Sequence, residues 1–324
     1  MPGSSIVRPL AGLVLLSILV MMFAVTVGSA QSGMFKVLWV FSGGGTGLER
    51  TLILDLRLPR VLSAFAVGGL LSVAGALMQV LLRNPLADPY VLGLSGGAAV
   101  GALLAMLAGM GGFVVSGSAF AGALLATLLV FGLAHGSGSW TPSRLLLTGV
   151  VVAAGWGALI TLILAMTPAA RLPGMLYWLM GDLSHSGQPW PGLLVLLLAC
   201  LLVLPLGRSL NVLARGSLQA AALGVAVRPL EWLVYLLASL LTATAVTMAG
   251  AVGFVGLVVP HMLRLVLGND QRLILPACAL AGGILLVLAD TLGRTVIAPE
   301  QLPVGVITAL LGVPTFLYLL YRSR

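Results

Sequence analysis

Long apolar runs alternate with short polar links along the whole chain. Lipid gives backbone N–H and C=O groups no hydrogen-bond partner, so an apolar run that crosses a membrane folds as an α-helix of about 20 residues. The pattern predicts an all-α integral membrane protein with ten transmembrane helices, in which residues 1–324 form a single transmembrane domain. The predicted helices span residues 8–29, 60–82, 91–109, 113–134, 144–166, 190–207, 229–249, 252–268, 272–293 and 304–321.

The division between the seventh and eighth predicted helices depends on a short stretch that contains glycine. The apolar run from Trp232 to Leu267 is too long for one ordinary crossing. The sequence AGAVG, from Ala249 to Gly253, is the best place for a break. Without that break the chain would have nine crossings, and its two ends would lie on opposite sides of the membrane.

Composition narrows the class of protein. Hydrophobic residues make up 60% of the chain and charged residues only 7%, whereas a soluble domain carries about 25% charged residues. A soluble enzyme is therefore excluded. The net charge is +8, but the basic residues stand singly or in pairs between apolar runs. Nucleic-acid-binding proteins gather such residues on one surface, so nucleic acid is not a predicted partner.

The basic residues are unevenly divided between the two sides of the membrane. With ten helices, ten of the 16 basic residues lie on the side of both termini and six on the other side. The positive-inside rule then places both termini in the cytoplasm. The first apolar run is followed by GSAQS, residues 28–32, which is similar to a signal-peptidase site. The run is longer than the 7–15 apolar residues of a signal peptide, so we expect an uncleaved first helix.

Residues that carry chemistry are sparse. Cys200 and Cys278 lie inside apolar runs and are expected to pack as small hydrophobic side chains. His135, His185 and His261 are far apart in sequence and lack the spacing of metal ligands. The sequence also has no GxxxxGK[ST] phosphate-binding motif. No catalytic residue, metal site or bound cofactor is predicted for this chain.

Charged residues near the helix ends form two predicted local pairs. Asp290 is four residues before Arg294, and Glu231 is three residues after Arg228, so each pair can form on one helical face. Charge in the middle of the predicted helices is almost absent. An ion-coupled secondary carrier usually needs such charge, so this class is only a distant alternative. An integral-membrane enzyme is disfavoured by the lack of clustered catalytic groups.

Glycine also recurs at a spacing of four residues in the third predicted helix. Gly93, Gly97 and Gly101 form a GxxxGxxxG pattern on one helical face. Such a face lets a neighbouring backbone approach closely. The pattern predicts tight helix packing and indicates nothing about chemistry.

The link LLRNPLADPYVLGLSGGA, residues 81–98, is unusually polar for this chain. Pro85 and Pro89 stop the second helix and force a turn, and Asn84 is biased to extended backbone because it precedes a proline. Asp88 is expected to cap the third helix, and Arg83 adds to the inner charge. We interpret these five residues as a rigid inner elbow.

The longest predicted cytoplasmic link, about residues 208–230, contains the sequence SLQAAALGV. This sequence predicts a short helix that Ser217 caps and Gly224 ends. Such a helix lies either on the membrane surface or in a cytoplasmic partner, and spacing alone leaves the two open.

Three segments closely resemble one family of bacterial transport proteins. Residues 57–98 (RLPRVLSAFAVGGLLSVAGALMQVLLRNPLADPYVLGLSGGA), 250–265 (GAVGFVGLVVPHMLRL) and 288–320 (LADTLGRTVIAPEQLPVGVITALLGVPTFLYLL) resemble, in the same order, the iron-complex and vitamin B12 permeases of ABC importers. The resemblance implies a ten-helix subunit of the cytoplasmic membrane that works as a homodimer. Its partners would be two cytoplasmic ATPase subunits, which bind ATP and Mg²⁺, and an extracytoplasmic binding protein that delivers the ligand.

The resemblance also implies roles for particular residues. Arg57, Arg60 and Arg294 match arginines that receive acidic side chains of the binding protein at the outer rim; ordinary anchoring of helix ends is the alternative. The link at 208–230 resembles the segment that couples to the ATPase. The matching coupling residues are Ser217, Leu218, Ala221, Leu223, Gly224 and Val225.

The substrate implied by the resemblance is a metal chelate. Ferric siderophore, haem and vitamin B12 permeases share all of these motifs, and the ligand is selected mainly by the binding protein. We expect a ferric siderophore or haem, with vitamin B12 as the alternative.

Overall fold

The structure, a computed structural model, describes residues 4–28, 33–135, 141–184 and 187–322. Within these ranges all regular secondary structure is helical. The α-helices are α1 Ser4–Thr26, α2 Met34–Phe41, α3 Gly47–Arg50, α4 Leu58–Leu81, α5 Leu94–Leu107, α6 Gly112–His135, α7 Pro142–Met166, α8 Leu172–Met180, α9 Trp190–Val203, α10 Gly207–Leu213, α11 Ser217–Ala222, α12 Val227–Ala249, α13 Val255–Leu267, α14 Gln271–Thr295 and α15 Val304–Arg322. A π-helical segment, Thr51–Arg57, leads into α4, and 3₁₀ segments occupy Pro89–Leu92 and Leu204–Leu206. Arg324, His185 and residues 29–32 of the GSAQS segment lie outside the described ranges.

Ten of these helices coincide with the ten predicted spans. Seven described segments are long and apolar enough to cross a membrane, and three shorter apolar helices, α5, α13 and α15, fill the remaining spans. The all-α membrane architecture is thus confirmed, whereas the number of crossings and the cytoplasmic position of both ends stay predictions. The links also contain α2 and α8, of 8 and 9 residues, which are too short to cross.

The predicted break between the seventh and eighth spans is present. α12 ends at Ala249 and α13 begins at Val255. Gly250 and Phe254 have φ angles of 66° and 68°, a left-handed conformation that cannot continue an α-helix. The backbone between the helices is paired with its neighbours, since Val252 N–H donates to the Tyr90 hydroxyl over 3.2 Å.

The second membrane helix begins earlier than predicted. Helical structure runs from Gly47 through the π segment to Leu81, whereas the hydropathy pattern placed its start at residue 60. A capping box starts it: Glu49 N–H donates to Thr46 Oγ1 over 3.4 Å, and Thr46 N–H donates to Glu49 Oε2 over 3.0 Å. The charged residues in this stretch therefore belong to a helix and not to a loop.

α4 is the central helix of the protein. Of its 24 residues, 19 are buried, and it packs against α14, α12, α13 and α9. Small residues allow the closest of these contacts: a Cβ added to Gly68 would overlap the Gly282 carbonyl of α14, and one added to Gly75 would overlap the Gly256 carbonyl of α13. Close backbone approach of this kind replaces large side chains as the basis of helix packing in membranes.

The glycine pattern of the third predicted helix packs largely as expected. A Cβ on Gly97 would lie 2.5 Å from the Gly122 carbonyl oxygen of α6, and Gly101 lies against Ser118 of the same helix. Gly93 is the exception, because it precedes α5 in a left-handed conformation with φ 74°. The close face thus consists of Gly97 and Gly101.

Candidate functional site

The candidate residues gather at the two ends of the α4–α14 pair. The two helices are antiparallel, because Arg60 near the start of α4 contacts Asp290 near the end of α14. From Arg60 to Gln79, α4 extends about 28 Å at 1.5 Å per residue. We call the end that contains Arg60 outer and the opposite end inner, following the predicted orientation.

The outer arginine cluster consists of Arg57, Arg60, Asp290, Arg294 and Gln301. Asp290 is its centre and is only 2% exposed. Arg60 donates to it from Nε (3.0 Å) and from Nη2 (2.9 Å), and Arg294 Nε lies 3.0 Å from the other carboxylate oxygen. The predicted pair of Asp290 and Arg294 is therefore present, and Arg60 adds a two-pronged contact from a distant part of the sequence.

Arg57 and Arg294 contact the end of α1. Arg57 Nη1 donates to the Val25 carbonyl over 3.1 Å, and Arg294 Nη2 donates to the Ala24 carbonyl over 3.3 Å. The last carbonyls of a helix have no partner inside that helix, and arginine is well suited to cap them. Both side chains are almost fully buried, at 6% and 7% exposure, and their role in docking stays a prediction. The capping of α1 explains their burial.

All three arginines nevertheless line one cavity of about 340 Å³. The other residues of this outer pocket come from the link after α1, the π segment, the start of α4, the link after α8 and the link before α15. The lining residues are Gly28, Leu52, Asp55, Leu56, Arg57, Pro59, Arg60, Leu183, Ser184, Arg294 and Gln301. A cavity with three guanidinium groups is suited to carboxylates, which arginine can hold with two parallel hydrogen bonds.

The inner end of α4 turns sharply at Arg83. Arg83 N–H donates to the Val80 carbonyl (3.3 Å) and Asn84 N–H to the Gln79 carbonyl (3.2 Å), which together form a Schellman motif. Arg83 occupies the left-handed position of this motif with φ 49°, where glycine is usual. The predicted elbow is thus present, with strained backbone at its first residue.

Asp88 caps a different helical segment from the one predicted. Its Oδ1 accepts from Tyr90 N–H over 2.8 Å and caps the 3₁₀ turn Pro89–Leu92, whereas α5 begins only after Gly93. Gly93 separates the 3₁₀ turn from α5, because its left-handed backbone, with φ 74°, interrupts the helix. Desolvation raises the pKa of the Asp88 carboxyl to about 6, and the hydrogen bond from Tyr90 opposes this shift.

An inner pocket of about 560 Å³ lies beside the elbow and contains three arginines, Arg83, Arg215 and Arg264. Arg264 donates to the Gln79 side chain, and Gln79 in turn donates to the Leu257 carbonyl over 3.3 Å. The remaining lining residues are Val80, Pro85, Asn211, Ala214, Asn269, Asp270 and Gln271.

Asp270 closes one wall of the inner pocket. It accepts from Asn211 Nδ2 (2.8 Å) and from Arg272 Nη2 (2.7 Å). Hydrogen bonds from Arg272 and Asn211 hold the pKa of the Asp270 carboxyl well below its usual range. Sequence reasoning missed Gln79, Arg264 and Asp270; the signal for Gln79 was its position as an uncharged polar residue inside an apolar helix.

The predicted coupling helix is present as α11, Ser217–Ala222. Gly216 precedes it as the N-cap and Ser217 makes no capping hydrogen bond, so the predicted cap is wrong; Ser217 is already the first helical residue. Gly224 ends the helix in a left-handed conformation with φ 79°, as predicted. Val225 N–H donates to the Ala220 carbonyl over 3.0 Å and completes a second Schellman motif.

α11 exposes apolar side chains next to the inner pocket. Leu218 is 87% and Leu223 71% exposed, and Ala221 and Gly224 are also exposed, whereas Ser217 and Val225 are half-buried. A Cβ on Gly216 would lie 3.9 Å from Arg83 Nη1. The start of α11 therefore adjoins the elbow.

Groups that could bind a metal are dispersed. In the part of the chain that the structure describes, no three His, Cys, Asp or Glu residues are close enough to hold an ion. Cys200 is a half-buried and Cys278 a buried free thiol, and His261 is half-buried.

Comparison with known proteins identifies the family. Residues 15–322 match the FecCD transport family. The hemin transport system permease protein HmuU of Yersinia pestis is 40% identical over 320 residues, which cover 95% of this chain and 95% of HmuU. The vitamin B12 import system permease protein BtuC of Vibrio cholerae is 40% identical over 284 residues, which cover 86% of this chain and 85% of BtuC.

Two solved structures have a similar fold. One, an inward-facing conformation of a proposed metal-chelate type ABC transporter, has a TM-score of 0.86 at 30% identity and covers 97% of this chain and 99% of that chain. PsaBC from Streptococcus pneumoniae in complex with Fab has a TM-score of 0.59 at 16% identity, over 84% of this chain and 93% of that chain, and shows the fold alone. The predicted resemblance is confirmed: over nearly its whole length, the chain belongs to the FecCD transport family of membrane permeases.

Proposed function

We propose that this chain is the membrane subunit of an ATP-binding cassette importer that moves a metal chelate, haem or a ferric siderophore, across the cytoplasmic membrane of a bacterium. Similarity to a hemin permease over 95% of both chains supports this assignment. The subunit works as a homodimer embedded in lipid. An extracytoplasmic binding protein delivers the chelate, and two cytoplasmic ATPase subunits bind ATP and Mg²⁺.

The observation that supports this proposal is that the two ends of one helix pair carry two different candidate surfaces. The outer end of α4–α14 presents a cavity lined by three arginines, which suits acidic side chains of a binding protein. The inner end presents a polar pocket with α11 beside it. Leu218 of α11 and Leu223, which directly follows it, are exposed to 87% and 71%. Burial of a leucine contributes about 1.5–3 kcal/mol.

Transport then requires a movement that begins at the inner surface. The ATPase subunits close when they bind ATP, and they carry α11 with them. The elbow adjoins α11 through Gly216 and Arg83, so this displacement reaches the ends of α4 and α14. The helices of the two copies alternately open outward and inward, and the chelate passes through an apolar pathway that binds it weakly enough for release.

The coupling surface is tested by changing its exposed leucines. We expect the double variant Leu218→Asp, Leu223→Asp to purify at normal yield but to lose the ATPase subunits in an affinity pull-down from membranes. Gln219→Asp is the matched control, because it adds a charge at another exposed position of α11 without removing apolar surface. Recovery of the ATPase subunits at the wild-type ratio with the double variant would refute the coupling role.

The outer surface is tested at Arg60, the most exposed of the three arginines in the cluster, with 14% of its side chain accessible. Arg60→Gln should remove most of the stimulation of ATP hydrolysis by the binding protein while basal hydrolysis is kept. Arg50→Gln, at the exposed last residue of α3, is the control on the same side. Equal stimulation of the two variants would exclude docking at the cluster.

Vitamin B12 is the second candidate substrate. Its support is the 40% identity to BtuC of Vibrio cholerae over 284 residues. Calorimetric titration of the purified binding protein with haem, ferric siderophores and cobalamin separates the two candidates. If the binding protein binds cobalamin alone, vitamin B12 replaces haem and ferric siderophores as the proposed substrate.

A further inference from the structure

Asp290 is an unusual residue for a docking surface that is expected to receive carboxylates. It is an acid in the centre of the outer arginine cluster and is 2% exposed. Arg60 approaches it from α4 and Arg294 from its own helix, at 2.9 and 3.0 Å. A buried carboxylate between two guanidinium groups neutralises only one of their two charges. The cluster therefore keeps a positive charge that Asp290 does not compensate.

The hydrogen bonds of Arg60 show that Asp290 orders this side chain without using all of its donors. A guanidinium group has five N–H donors. Asp290 accepts from Nε and from one hydrogen of Nη2, and Gln301 accepts from Nη1 over 2.7 Å. Two hydrogens remain, one on Nη1 and one on Nη2. Arg60 also lines the outer pocket, so these two donors are available to a carboxylate that enters it.

The two contacts hold Arg60 from different structural elements. Asp290 belongs to α14, whereas Gln301 belongs to the link between α14 and α15. A free arginine side chain loses rotamer entropy when a partner immobilises it. Two fixed contacts remove much of this loss before the partner arrives, which is the general advantage of a preorganised binding group.

We propose that Asp290 and Gln301 are positioning residues for docking: they fix the guanidinium of Arg60 so that its two remaining N–H groups receive one carboxylate of the binding protein. This inference rests on the proposed docking function of the outer cluster. According to this proposal, Asp290 strengthens the binding of an acidic partner. Its negative charge alone would weaken that binding, so the two effects on affinity have opposite signs.

The sign of the change in affinity provides the test. Asp290→Asn makes the outer surface more positive, so electrostatic attraction alone would strengthen binding of an acidic partner. Loss of positioning would weaken it, and we expect the dissociation constant to rise about tenfold. Glu49→Gln is the matched control: it removes one negative charge on the same side, at a residue paired with Lys36 over 3.3 Å, and leaves Arg60 untouched. We expect its affinity to equal or exceed that of the wild type.

A second variant covers the case in which Asp290→Asn does not fold. Gln301 is exposed, so Gln301→Leu leaves no buried charge unpaired and removes only the second contact to Arg60. We expect its dissociation constant to rise several-fold and Asp290→Glu to recover part of the affinity that Asp290→Asn loses.

The measurement is biolayer interferometry on the permease–ATPase complex in lipid nanodiscs, with the binding protein that stimulates this complex as the probe, at several NaCl concentrations. Weaker binding with a shallower salt dependence in Gln301→Leu, and in Asp290→Asn where it folds, supports positioning. Wild-type affinity and salt dependence in every positioning variant that folds would overturn it. Arg60→Gln distinguishes the docking function of the outer cluster from the positioning role of Asp290 and Gln301. If Arg60→Gln also binds normally, the docking function is refuted. If Arg60→Gln alone binds weakly, only the positioning role is refuted.

Discussion

The contact between α5 and α6 at Gly97 allows a quantitative test of how these helices pack. A Cβ atom added to Gly97 would lie 2.5 Å from the Gly122 carbonyl oxygen and 2.6 Å from the Cβ atom of Ala126. Atoms in favourable contact are separated by about 3.5–4.0 Å. The helices would therefore have to move apart by about 1 Å at this point. Neither neighbour can rotate away, because one is backbone and the other is a methyl group attached directly to the backbone.

We expect Gly97→Ala to lower the free energy of unfolding by about 1–3 kcal/mol, which is the usual cost of overpacking. The cost arises in the folded state, where the alanine methyl group separates two backbones that are now in contact. Equilibrium unfolding of the purified permease in mixed micelles, with an increasing fraction of sodium dodecyl sulfate and helical circular dichroism as the signal, measures this free energy.

Gly117→Ala is the control for this prediction. Gly117 lies in α6, the partner helix, but a Cβ there would have no atom within 4 Å. We expect this variant to be unchanged or more stable by up to about 1 kcal/mol, since alanine has the higher helix propensity. Equal stability of the two variants would show that α5 and α6 are not in close contact at Gly97 and would refute the packing argument.

Three further predictions concern the inner side. Arg83→Gly should raise the free energy of unfolding by up to about 1 kcal/mol, because glycine adopts φ 49° without strain. Asp88→Asn keeps the cap but removes a carboxyl with a raised pKa of about 6; at pH 7.5 it should be more stable than the wild type by about 1–3 kcal/mol. The wild type, but not this variant, should lose stability as the pH rises from about 4 to 6, because its folded form holds the Asp88 proton more tightly than its unfolded form. Gly224→Ala should weaken retention of the ATPase subunits in a pull-down, since alanine is strained at φ 79°, whereas Gly224→Asn should retain them, because asparagine tolerates this conformation.

Each of these predictions has a contradicting result. A fall in stability in Arg83→Gly would show that its side-chain contacts outweigh the strain. An unchanged pH profile in Asp88→Asn would show that the carboxyl is well solvated in the folded protein. Equal pull-down of the alanine and asparagine variants at position 224 would show that the turn after α11 does not orient it.

The helices were largely predictable because lipid imposes a strong requirement on sequence. Each crossing needs a long apolar run, and ten such runs coincide with ten observed helices. The break after Ala249 was predictable for the same reason, since the run was too long. The early start of the second helix was missed because Arg50, Asp55 and Arg57 lower the hydropathy of a segment that is nevertheless helical. The Thr46–Glu49 capping box was the available signal.

The candidate residues could be predicted, but their surroundings could not. Arg60 and Asp290 are separated by 230 positions in sequence, and only the antiparallel packing of α4 on α14 brings them together. The burial of Arg57 and Arg294 likewise depends on where α1 ends, which hydropathy locates only to within a few residues. Tertiary contacts of this kind leave no periodic signal in a single sequence.

The packing of α4 on α14 also limits how the two candidate surfaces can communicate. At the closest part of this contact, the backbones of Gly68 and Gly282 approach each other directly. Neither glycine has a side chain that could rotate away. Near the outer end, the pair of Arg60 and Asp290 links the same two helices. Two helices joined at the middle and at one end move as one body, because sliding would force backbone atoms into one another. A displacement at the inner pocket would therefore reach the outer arginine cluster as a movement of the whole helix pair. Unless α1 moved with the pair, this movement would strain the hydrogen bonds by which Arg57 and Arg294 hold the end of α1.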